Sequence, residues 1–180
     1  MSITYTIVPC RLGYLLVGAT EKGIRAIGLG DSEADLVADL THEFPTVTIK
    51  QAHDAFGSWI TALLRYLDGD PRHLELPLHI EGAAFQRNVW SALNAIPYGS
   101  TRSYRDVGRS IGQPAAAREV AQACAENRIA LVIPCHRVIH ASGDFGGYRW
   151  GSERKRALLV QEASVADVAG YGGLGLRLVG

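Results

Sequence analysis

The sequence predicts a small α/β domain over residues 1–79, a mostly helical domain over residues 80–163, and a flexible, glycine-rich tail over residues 164–180. Two observations support this fold class. In the first part, short strand-like runs bounded by turn residues alternate with segments of helical periodicity, which is typical of a layered α/β unit. In the second part, a tight turn that contains glycine joins two helical segments, which is the pattern of a helix-turn-helix.

The elements of the first domain follow from periodicity and turn chemistry. Gly13 and Gly23 mark tight turns between strands, and the Asp-Gly-Asp-Pro sequence at 68–71 ends a helix. Ser32 precedes a helical pattern and can accept a hydrogen bond from its first turn. The predicted elements are strands at 3–9, 11–18 and 23–30, a helix at 33–40, a strand at 44–49 and a helix at 55–67. This part of the sequence carries no catalytic motif.

The second domain begins with an apolar helical stripe and continues into the helix-turn-helix. Ser103 is placed to cap a short helix that ends near Ile111, and residues 112–114 form the turn. A second helix is predicted from Pro114 to Ala125, because proline is tolerated in a first helical turn, where its missing N–H has no partner. The stripe consists of Phe85, Val89, Leu93 and Ile96, with Trp90 beside it. Taken alone, this pattern is as typical of non-binding bundles as of DNA-binding proteins.

Composition limits the class of protein. Of the 180 residues, 47% are apolar, which is enough for a buried core, yet no apolar run approaches the ~20 residues of a membrane span. The N-terminus lacks the basic start and the long apolar segment of a signal peptide. Cys10, Cys124 and Cys135 are widely spaced and odd in number, which argues against a disulfide framework and predicts a cytoplasmic protein.

Charge is distributed unevenly along the chain. The formal net charge is +0, but residues 1–81 hold 6 Lys/Arg against 11 Asp/Glu, whereas residues 82–164 hold 11 Lys/Arg against 6 Asp/Glu. A polyanion is bound by a local basic surface and not by a protein's mean charge. The second domain is therefore suited to a nucleic-acid partner, although an uneven charge can also arise by accident.

The pentapeptide Pro134-Cys135-His136-Arg137-Val138 is the strongest candidate for chemistry. It follows the apolar run at 129–133, which predicts a buried strand that ends at Pro134, because proline cannot donate to a ladder. Such a strand would hold Cys135 rigidly beside His136. A thiol becomes a strong nucleophile as the thiolate, which a nearby base favours. From adjacency alone, a buried structural cysteine beside a core histidine stays an open alternative.

Further motifs accompany Cys135 in a fixed order. They are Ser103-Tyr104, Ile-Gly-Gln-Pro-Ala-Ala-Ala-Arg at 111–118, Asn127, the pentapeptide itself, Gly-Tyr-Arg-Trp-Gly at 147–151, Lys155 and Leu-Leu-Val-Gln-Glu at 158–162. This set resembles the O6-alkylguanine-DNA alkyltransferases, or methylated-DNA–protein-cysteine methyltransferases, and is most similar to the repair half of the bacterial Ada regulatory proteins. The likeness covers residues 3–163 and is strongest from Ala84 onward. Many matched positions in a fixed order are more specific than one short motif.

The resemblance implies a ribonuclease-H-like sheet with helices in the first domain and a winged helix-turn-helix in the second. It also implies a catalytic set in which Cys135 attacks the alkyl carbon and His136, through a water molecule, accepts the thiol proton. Glu162 would orient His136, Tyr104 would donate its hydroxyl to the leaving purine, and Asn127 would tie the preceding turn to the active-site segment. Read alone, Tyr104 is a packing residue, Asn127 a helix C-cap and Glu162 a surface residue.

The resemblance also implies how DNA is bound. In this family the second helix of the helix-turn-helix lies in the minor groove, and the arginine that matches Arg118 fills the gap left by the rotated nucleotide. A buried cysteine cannot reach the O6 atom of a stacked base, so the nucleotide must leave the stack. The other predicted DNA contacts are Ser103, Pro114, Ala115, Ala116 and Arg137. The guanine pocket is predicted to be lined by the backbone of Val138, Tyr148, Arg149 and Trp150. Read alone, Arg118 is a surface arginine, and Arg137 can equally have a structural role.

The function that the resemblance implies is direct, irreversible repair of O6-alkylguanine in double-stranded DNA, with one turnover per chain, because a thioether has no good leaving group. Repair of O4-alkylthymine stays open. No cofactor is implied, since DNA is itself the alkyl donor, and no metal is expected, since no Cys-x-x-Cys pair occurs. The expected state is a monomer without a membrane partner. The alternatives are a piece or stand-alone form of an Ada-type transcriptional regulator and a non-catalytic binder of alkylated DNA, which Cys135 disfavours.

Overall fold

The computed structural model describes residues 1–168, which form two compact units. The first unit comprises Met1–Asp70, Leu74–Glu81 and Arg128–Val132. The second comprises Pro71–His73, Gly82–Asn127 and the chain from Ile133 onward. Each unit is therefore assembled from discontinuous stretches of the sequence. Within the described part of the chain, no helix is both long enough and apolar enough to cross a bilayer.

The first unit contains a four-stranded sheet. Its strands are β1 (Ser2–Cys10), β2 (Gly13–Thr20), β3 (Gly23–Gly30) and β4 (Thr48–Gln51). They lie in the order β3-β2-β1-β4, and β4 pairs with β1 in parallel while the other pairs are antiparallel. The first three strands confirm the prediction. The fourth begins four residues later than predicted, because Phe44 caps the preceding helix with its N–H bonded to the Leu40 carbonyl (3.1 Å) and is buried in the core.

Two helices complete this unit, α1 (Glu33–Glu43) and α2 (Gly57–Leu67). The hydroxyl of Ser32 accepts a hydrogen bond from the Asp35 N–H over 3.1 Å, which confirms the predicted N-cap. Leu36 and Leu40 lie one turn apart on the buried face of α1. The core that they join also contains Ile3, Tyr5, Leu16, Ala26 and Phe44.

The second unit is mostly helical. Its elements are α3 (Ala84–Asn94), β5 (Arg102–Ser103), α4 (Tyr104–Ser110), α5 (Ala117–Ala125), β6 (Val138–Ile139) and α6 (Ser152–Val168). Strands β5 and β6 form a short parallel pair. Helix α5 starts at Ala117 and not at Pro114 as predicted, because the N–H of Ala116 bonds back to the Gln113 carbonyl (3.0 Å) in a separate turn. The helix-turn-helix of α4 and α5 is present with this longer connection.

The apolar run before the pentapeptide is buried, but the strand predicted there is wrong. Ile129 forms an isolated parallel bridge with Ile27, and the chain then turns. Leu131 has a φ of +70°, and the Val132 N–H donates to the Ala130 carbonyl over 2.7 Å, which is the bond of a γ-turn. A run of apolar residues predicts burial, and burial is compatible with a turn when the backbone groups find partners.

Helix α6 extends further than predicted. Residues 164–168, which were expected to begin the flexible tail, continue the helix to Val168. The physical reason is burial, since Ala166 is only 5% exposed. A Cβ atom placed on Gly99, whose φ is +78°, would lie 2.4 Å from the Cβ of Ala166, so this face of the helix is closely packed. The rest of the predicted tail, residues 169–180, lies outside the described residues.

Candidate active site

Cys135 opens the 3-10 helix Cys135–Arg137 directly after a second tight turn. Its N–H donates to the Ile133 carbonyl over 2.8 Å. Pro134, at the centre of this turn, has φ −82° and ψ 60°, which are the angles of an inverse γ-turn. The cysteine is therefore presented by two successive γ-turns and not by the end of a strand. Its side chain is almost fully buried, with 4% of the residue exposed.

Asn127 holds the cysteine from the turn that follows α5. Its Nδ2 donates to the Ile133 carbonyl over 3.0 Å and to the Cys135 sulfur over 3.2 Å. Asn127 is completely buried, so both bonds form away from solvent. A hydrogen bond donated to sulfur favours the charged thiolate over the thiol. The amide therefore fixes the backbone of the segment that holds Cys135 and favours the thiolate form of that residue.

His136, Glu162 and Arg137 form a buried network behind Cys135. The His136 Nε2 lies 2.8 Å from Glu162 Oε1. Arg137 donates to the same carboxylate twice, from Nε to Oε2 over 2.9 Å and from Nη2 to Oε1 over 3.0 Å. All three residues are at least nine-tenths buried. The predicted partnership of His136 and Glu162 is thus present, and Arg137 is a third member that the sequence did not indicate.

The position of Arg137 does not support its predicted DNA contact. Its guanidinium is 8% exposed and is committed to Glu162, to the Ile96 carbonyl (2.8 Å) and to the face of the Tyr98 ring (5.6 Å to the centroid). An arginine with its donors directed inward in this way is not available to a phosphate. The alternative that the sequence left open, a structural role, describes its position.

The charges of this network favour a neutral histidine. Burial lowers the pKa of His136, and the attraction of Glu162 opposes this shift only in part. Burial alone would raise the pKa of Glu162, but His136 and Arg137 together hold that pKa well below its usual range. An ionised Glu162 accepts a hydrogen bond from the Nε2–H of neutral His136, which leaves Nδ1 as the basic nitrogen of the ring. His136 is therefore in the form that can accept a proton.

The electrostatics at the sulfur are balanced between burial and nearby donors. Burial raises the pKa of the Cys135 thiol, while the Asn127 amide, the Lys155 cation and the Arg149 cation act in the opposite direction. A buried thiol of this kind needs a base to remove its proton, and His136 is the adjacent candidate.

A cavity of about 400 Å³ opens onto Cys135. Its wall contains Tyr104, Ala121, Cys124, Ala125, Cys135, His140, Gly147, Tyr148 and Arg149. Tyr148 and Arg149, whose backbone was predicted to line the guanine pocket, are among these residues. Val138 and Trp150 are not in the wall: Val138 is fully buried, and Trp150 packs edge-on against Tyr148 at 5.2 Å between ring centroids. Their side chains serve internal packing, and the expectation that their backbone lines the guanine pocket stays a prediction.

Tyr104, the first residue of α4, presents a protonated phenol to this cavity. Burial raises its pKa to about 12, and the nearby thiols of Cys124 and Cys135 add to the shift. Its ring lies 5.1 Å from that of His140. Gly146 allows the next loop to approach, since a Cβ there would lie 3.1 Å from the Tyr104 hydroxyl. A phenol with this pKa acts as a hydrogen-bond donor throughout the neutral range.

Lys155 is a functional candidate to which the sequence reasoning assigned no role. It is completely buried, and its Nζ donates to the carbonyls of Val138 (2.7 Å) and Gly147 (3.2 Å). It therefore ties β6 to the loop that lines the cavity. A signal was present in the sequence: Lys155, Leu158, Leu159 and Glu162 share one helical face at positions i, i+3, i+4 and i+7. A lysine on an apolar face indicates a paired cation.

The predicted DNA contacts lie around the start of α5. Arg118, Pro114 and Ala115 are exposed, and Ala116 is half-buried. Ser103 is the N-cap of α4, where its hydroxyl accepts a hydrogen bond from the Asp106 N–H (3.0 Å) and donates to the Asp106 carboxylate (2.8 Å). The small side chains before Arg118 leave the surface at this helix end smooth.

Comparison with known proteins decides the family. Residues 3–80 match the ribonuclease-like domain of 6-O-methylguanine DNA methyltransferase, and residues 84–164 match its DNA-binding domain. A methylated-DNA–protein-cysteine methyltransferase of Mycolicibacterium paratuberculosis is 43% identical over 126 residues, which cover 70% of this chain and 76% of that protein. The chain belongs to the O6-methylguanine-DNA methyltransferase family. The predicted family and its two-domain fold are thereby confirmed.

Other relatives extend the match along the chain. The Escherichia coli protein named bifunctional transcriptional activator/DNA repair enzyme Ada is 44% identical over 163 residues, which cover 91% of this chain. The chain spans 46% of that protein and the same share of the Salmonella typhimurium regulatory protein Ada. The crystal structure of Mycobacterium tuberculosis OGT in complex with DNA superposes with a TM-score of 0.78 at 35% identity, and covers 93% of this chain and 99% of that one.

Proposed function

We propose that this methyltransferase-family chain repairs DNA by transferring an alkyl group from the O6 atom of alkylguanine to the sulfur of Cys135. One observation carries the proposal: Cys135 lines a cavity of about 400 Å³, and its sulfur accepts a hydrogen bond from Asn127. His136, paired with Glu162, follows it directly along the chain. A nucleophile, a base and an orienting carboxylate are thus assembled at one cavity.

The bonds and protons of the proposed reaction balance without a further reactant. The sulfur attacks the alkyl carbon in line with the C–O bond, so that one S–C bond forms and one C–O bond breaks. His136 takes the thiol proton through a water molecule, and Tyr104 donates its hydroxyl hydrogen bond to the guanine that leaves with the electron pair. The product is a thioether, which has no good leaving group. Each chain is therefore consumed by one transfer, and no cofactor is required.

The proposed substrate is an alkylated base within double-stranded DNA. The related OGT of Mycobacterium tuberculosis forms a complex with DNA, which supports this partner. We assign the exposed start of α5 to the minor groove and Arg118 to the gap left by the rotated nucleotide, since its long side chain follows three small residues. Extrusion of the nucleotide is needed because Cys135 is nearly fully buried. We further assign the protein to the cytoplasm as a monomer, in agreement with its three free cysteines.

Of the alternatives, a non-catalytic binder of alkylated DNA needs neither a nucleophile nor a base. The hydrogen bond from Asn127 to the Cys135 sulfur and the buried His136–Glu162 pair favour the transferase. The transcriptional activity in the name of the Escherichia coli relative is not carried over, because this chain spans 46% of that protein.

Mass spectrometry of the intact protein after incubation with an O6-methylguanine duplex tests the proposal. The mass should rise by one methylene equivalent, and peptide mapping should place the addition on Cys135 and not on Cys124, which also lines the cavity. Cys135→Ser is the matched control and should gain no mass. Turnover beyond one methyl group per chain, or methylation of another residue, would contradict the proposed mechanism.

A further inference from the structure

Arg137 is the member of the buried network that the transfer chemistry leaves without a role. Its Nε and Nη2 donate to the two carboxylate oxygens of Glu162, and its Nη1 donates to the Ile96 carbonyl over 2.8 Å. The guanidinium also lies over the Tyr98 ring, 5.6 Å from the centroid. This fork of donors is thus held inside the protein by a carboxylate, a carbonyl and an aromatic face.

The Glu162 carboxylate binds His136 and Arg137 at the same time. Its Oε1 lies 2.8 Å from His136 Nε2 and 3.0 Å from Arg137 Nη2. Its Oε2 accepts from Arg137 Nε over 2.9 Å and from the Gly99 N–H over 3.3 Å. A buried carboxylate with histidine as its sole cationic partner would strongly favour the imidazolium form. A guanidinium, which is always charged, offsets that preference when it binds the same carboxylate.

We propose that Arg137 is a positioning residue for alkyl transfer: it fixes the Glu162 carboxylate and compensates its charge, so that Glu162 orients His136 without holding it as an imidazolium. The proposal rests on the proposed function, since it concerns the base of that reaction. Under it, the imidazolium forms when His136 takes the proton of Cys135. The new positive charge then appears beside the thiolate that it stabilises.

The other charged groups around His136 agree with this role. Lys155 and Glu162 face it from α6, Arg137 follows it in the 3-10 helix, and the Tyr148 ring lies edge-on at 6.4 Å between centroids. Burial lowers the pKa of His136, and Arg137 and Lys155 act in the same direction. Among these described groups, Glu162 favours the imidazolium form of His136. Arg137 is bonded directly to Glu162.

The pH–rate profile of transfer from the free O6-methylguanine base tests the proposal, because this substrate requires no DNA binding. In Arg137→Met the acid limb should move to higher pH by about one unit or more, since Glu162 then acts on His136 uncompensated. Arg137→Lys should keep the limb near its wild-type pH but lower the plateau rate, because an ammonium keeps the charge and loses the two-pronged bond. In a Glu162→Gln background, Arg137→Met should produce little further shift.

Arg25→Met is the matched control. Arg25, in the first unit, is 5% exposed, pairs with Glu81 over 2.7 Å and lies over the Phe44 ring at 5.1 Å from the centroid. Like Arg137, it is thus a buried arginine bound to a carboxylate and to an aromatic face. It should leave the limb of the profile in place. A limb that stays in place in Arg137→Met, with only the rate reduced, would overturn the proposal and leave Arg137 with a purely structural role. If Arg137→Met does not fold, Arg137→Gln, which also removes the charge, takes its place: its acid limb should move to higher pH, and a limb that stays in place would overturn the proposal.

Failure of the proposed function has a different signature. If the wild-type protein transfers no alkyl group, the function is refuted, and the position of Arg137 can still be examined by NMR titration of the 15N-labelled His136 ring. In that measurement Arg137→Met should raise the pH of His136 protonation, and Arg25→Met should not. An unchanged His136 titration in Arg137→Met would overturn the inference irrespective of the reaction.

Discussion

The side-chain amide of Asn127 donates a hydrogen bond to the sulfur of Cys135 over 3.2 Å, and the same nitrogen donates to the Ile133 carbonyl over 3.0 Å. One buried group thus fixes the turn that precedes the nucleophile and favours the thiolate. Because Asn127 follows the end of α5, this contact joins the helix assigned to DNA to the atom assigned to chemistry. Stability and reactivity at this site depend on the same amide.

Asn127→Ala should therefore lose both stability and activity. It removes one of two hydrogen bonds to the buried Ile133 carbonyl, which still accepts from the Cys135 N–H, and this loss costs about 0.5–1.5 kcal/mol. It also removes the donor to the Cys135 sulfur. Urea unfolding should show the first effect, and the rate of transfer from free O6-methylguanine the second. Asn88→Ala, at an exposed position of α3, serves as the control. A variant with wild-type stability and rate would remove Asn127 from the site.

Tyr104→Phe should slow transfer without changing the shape of its pH dependence. The substitution keeps the ring and removes the hydroxyl, so stabilisation of the leaving guanine is lost by roughly ten- to a hundredfold in rate. Because burial raises the pKa of Tyr104 to about 12, its hydroxyl stays protonated between pH 6 and about pH 10. Rates measured across that window for both proteins should run parallel. A basic limb that disappears in the variant would show that Tyr104 titrates there.

Arg118→Ala should separate base extrusion from chemistry. Reaction with duplex DNA should fall by roughly ten- to a hundredfold or more, because the variant loses the group that offsets part of the few kcal/mol of unstacking. Reaction with the free base should be nearly unchanged. Arg156→Ala, another exposed arginine, on α6, is the control for loss of one positive charge. Equal impairment of both substrates would mean that Arg118 supports the fold or the cavity.

His136 should make the folded state sensitive to acid. Its pKa is lowered by burial, so the unfolded chain binds a proton more readily, and the stability contributed by neutral His136 is lost as pH falls below its ordinary value of 6.5. The free energy of unfolding should fall by at most about 1.4 kcal/mol per pH unit. Below pH 4.5, the ordinary value for Glu162, protonation of that residue should add to it, since its folded pKa is lowered too.

Urea unfolding between pH 7.5 and about pH 5 measures this effect. His136→Gln should flatten the dependence over that range, whereas His53→Gln, at an exposed position, should leave it as in the wild type. If the variant and the wild type lost stability in parallel, the acid sensitivity would come from other groups.

Local chemistry made much of the fold predictable. Strands β1 to β3 follow from short runs between turn glycines, and the N-caps Ser32 and Ser103 each bond the third N–H of the helix that they precede. These signals depend on neighbours in the sequence, so they are visible without the fold. The apolar run before Pro134 is not the predicted strand, because only its burial is encoded locally. Its γ-turns depend on partners elsewhere in the chain.

In the candidate site, too, some features follow from the sequence and others depend on tertiary contacts. The order of its motifs was sufficient to indicate the family and to single out Cys135, His136 and Glu162. The positions of Arg137 and Val138 were not predictable, because a side chain that follows the nucleophile in sequence can point toward DNA, the cavity or the interior. The structure directs both inward, with Arg137 on Glu162 and the Val138 carbonyl on Lys155.

The sequence by itself determined the types of most elements, the helix starts at Ser32 and Ser103, the family and the candidate nucleophile, because these rest on residue chemistry and short-range spacing. The tertiary structure alone decided how that cysteine is held and tuned. Asn127 reaches its sulfur from eight residues away, and Glu162 reaches His136 from twenty-six residues away. Contacts across such separations form only when the helices and turns pack, because packing sets the distances and burial on which hydrogen bonding and charge compensation depend.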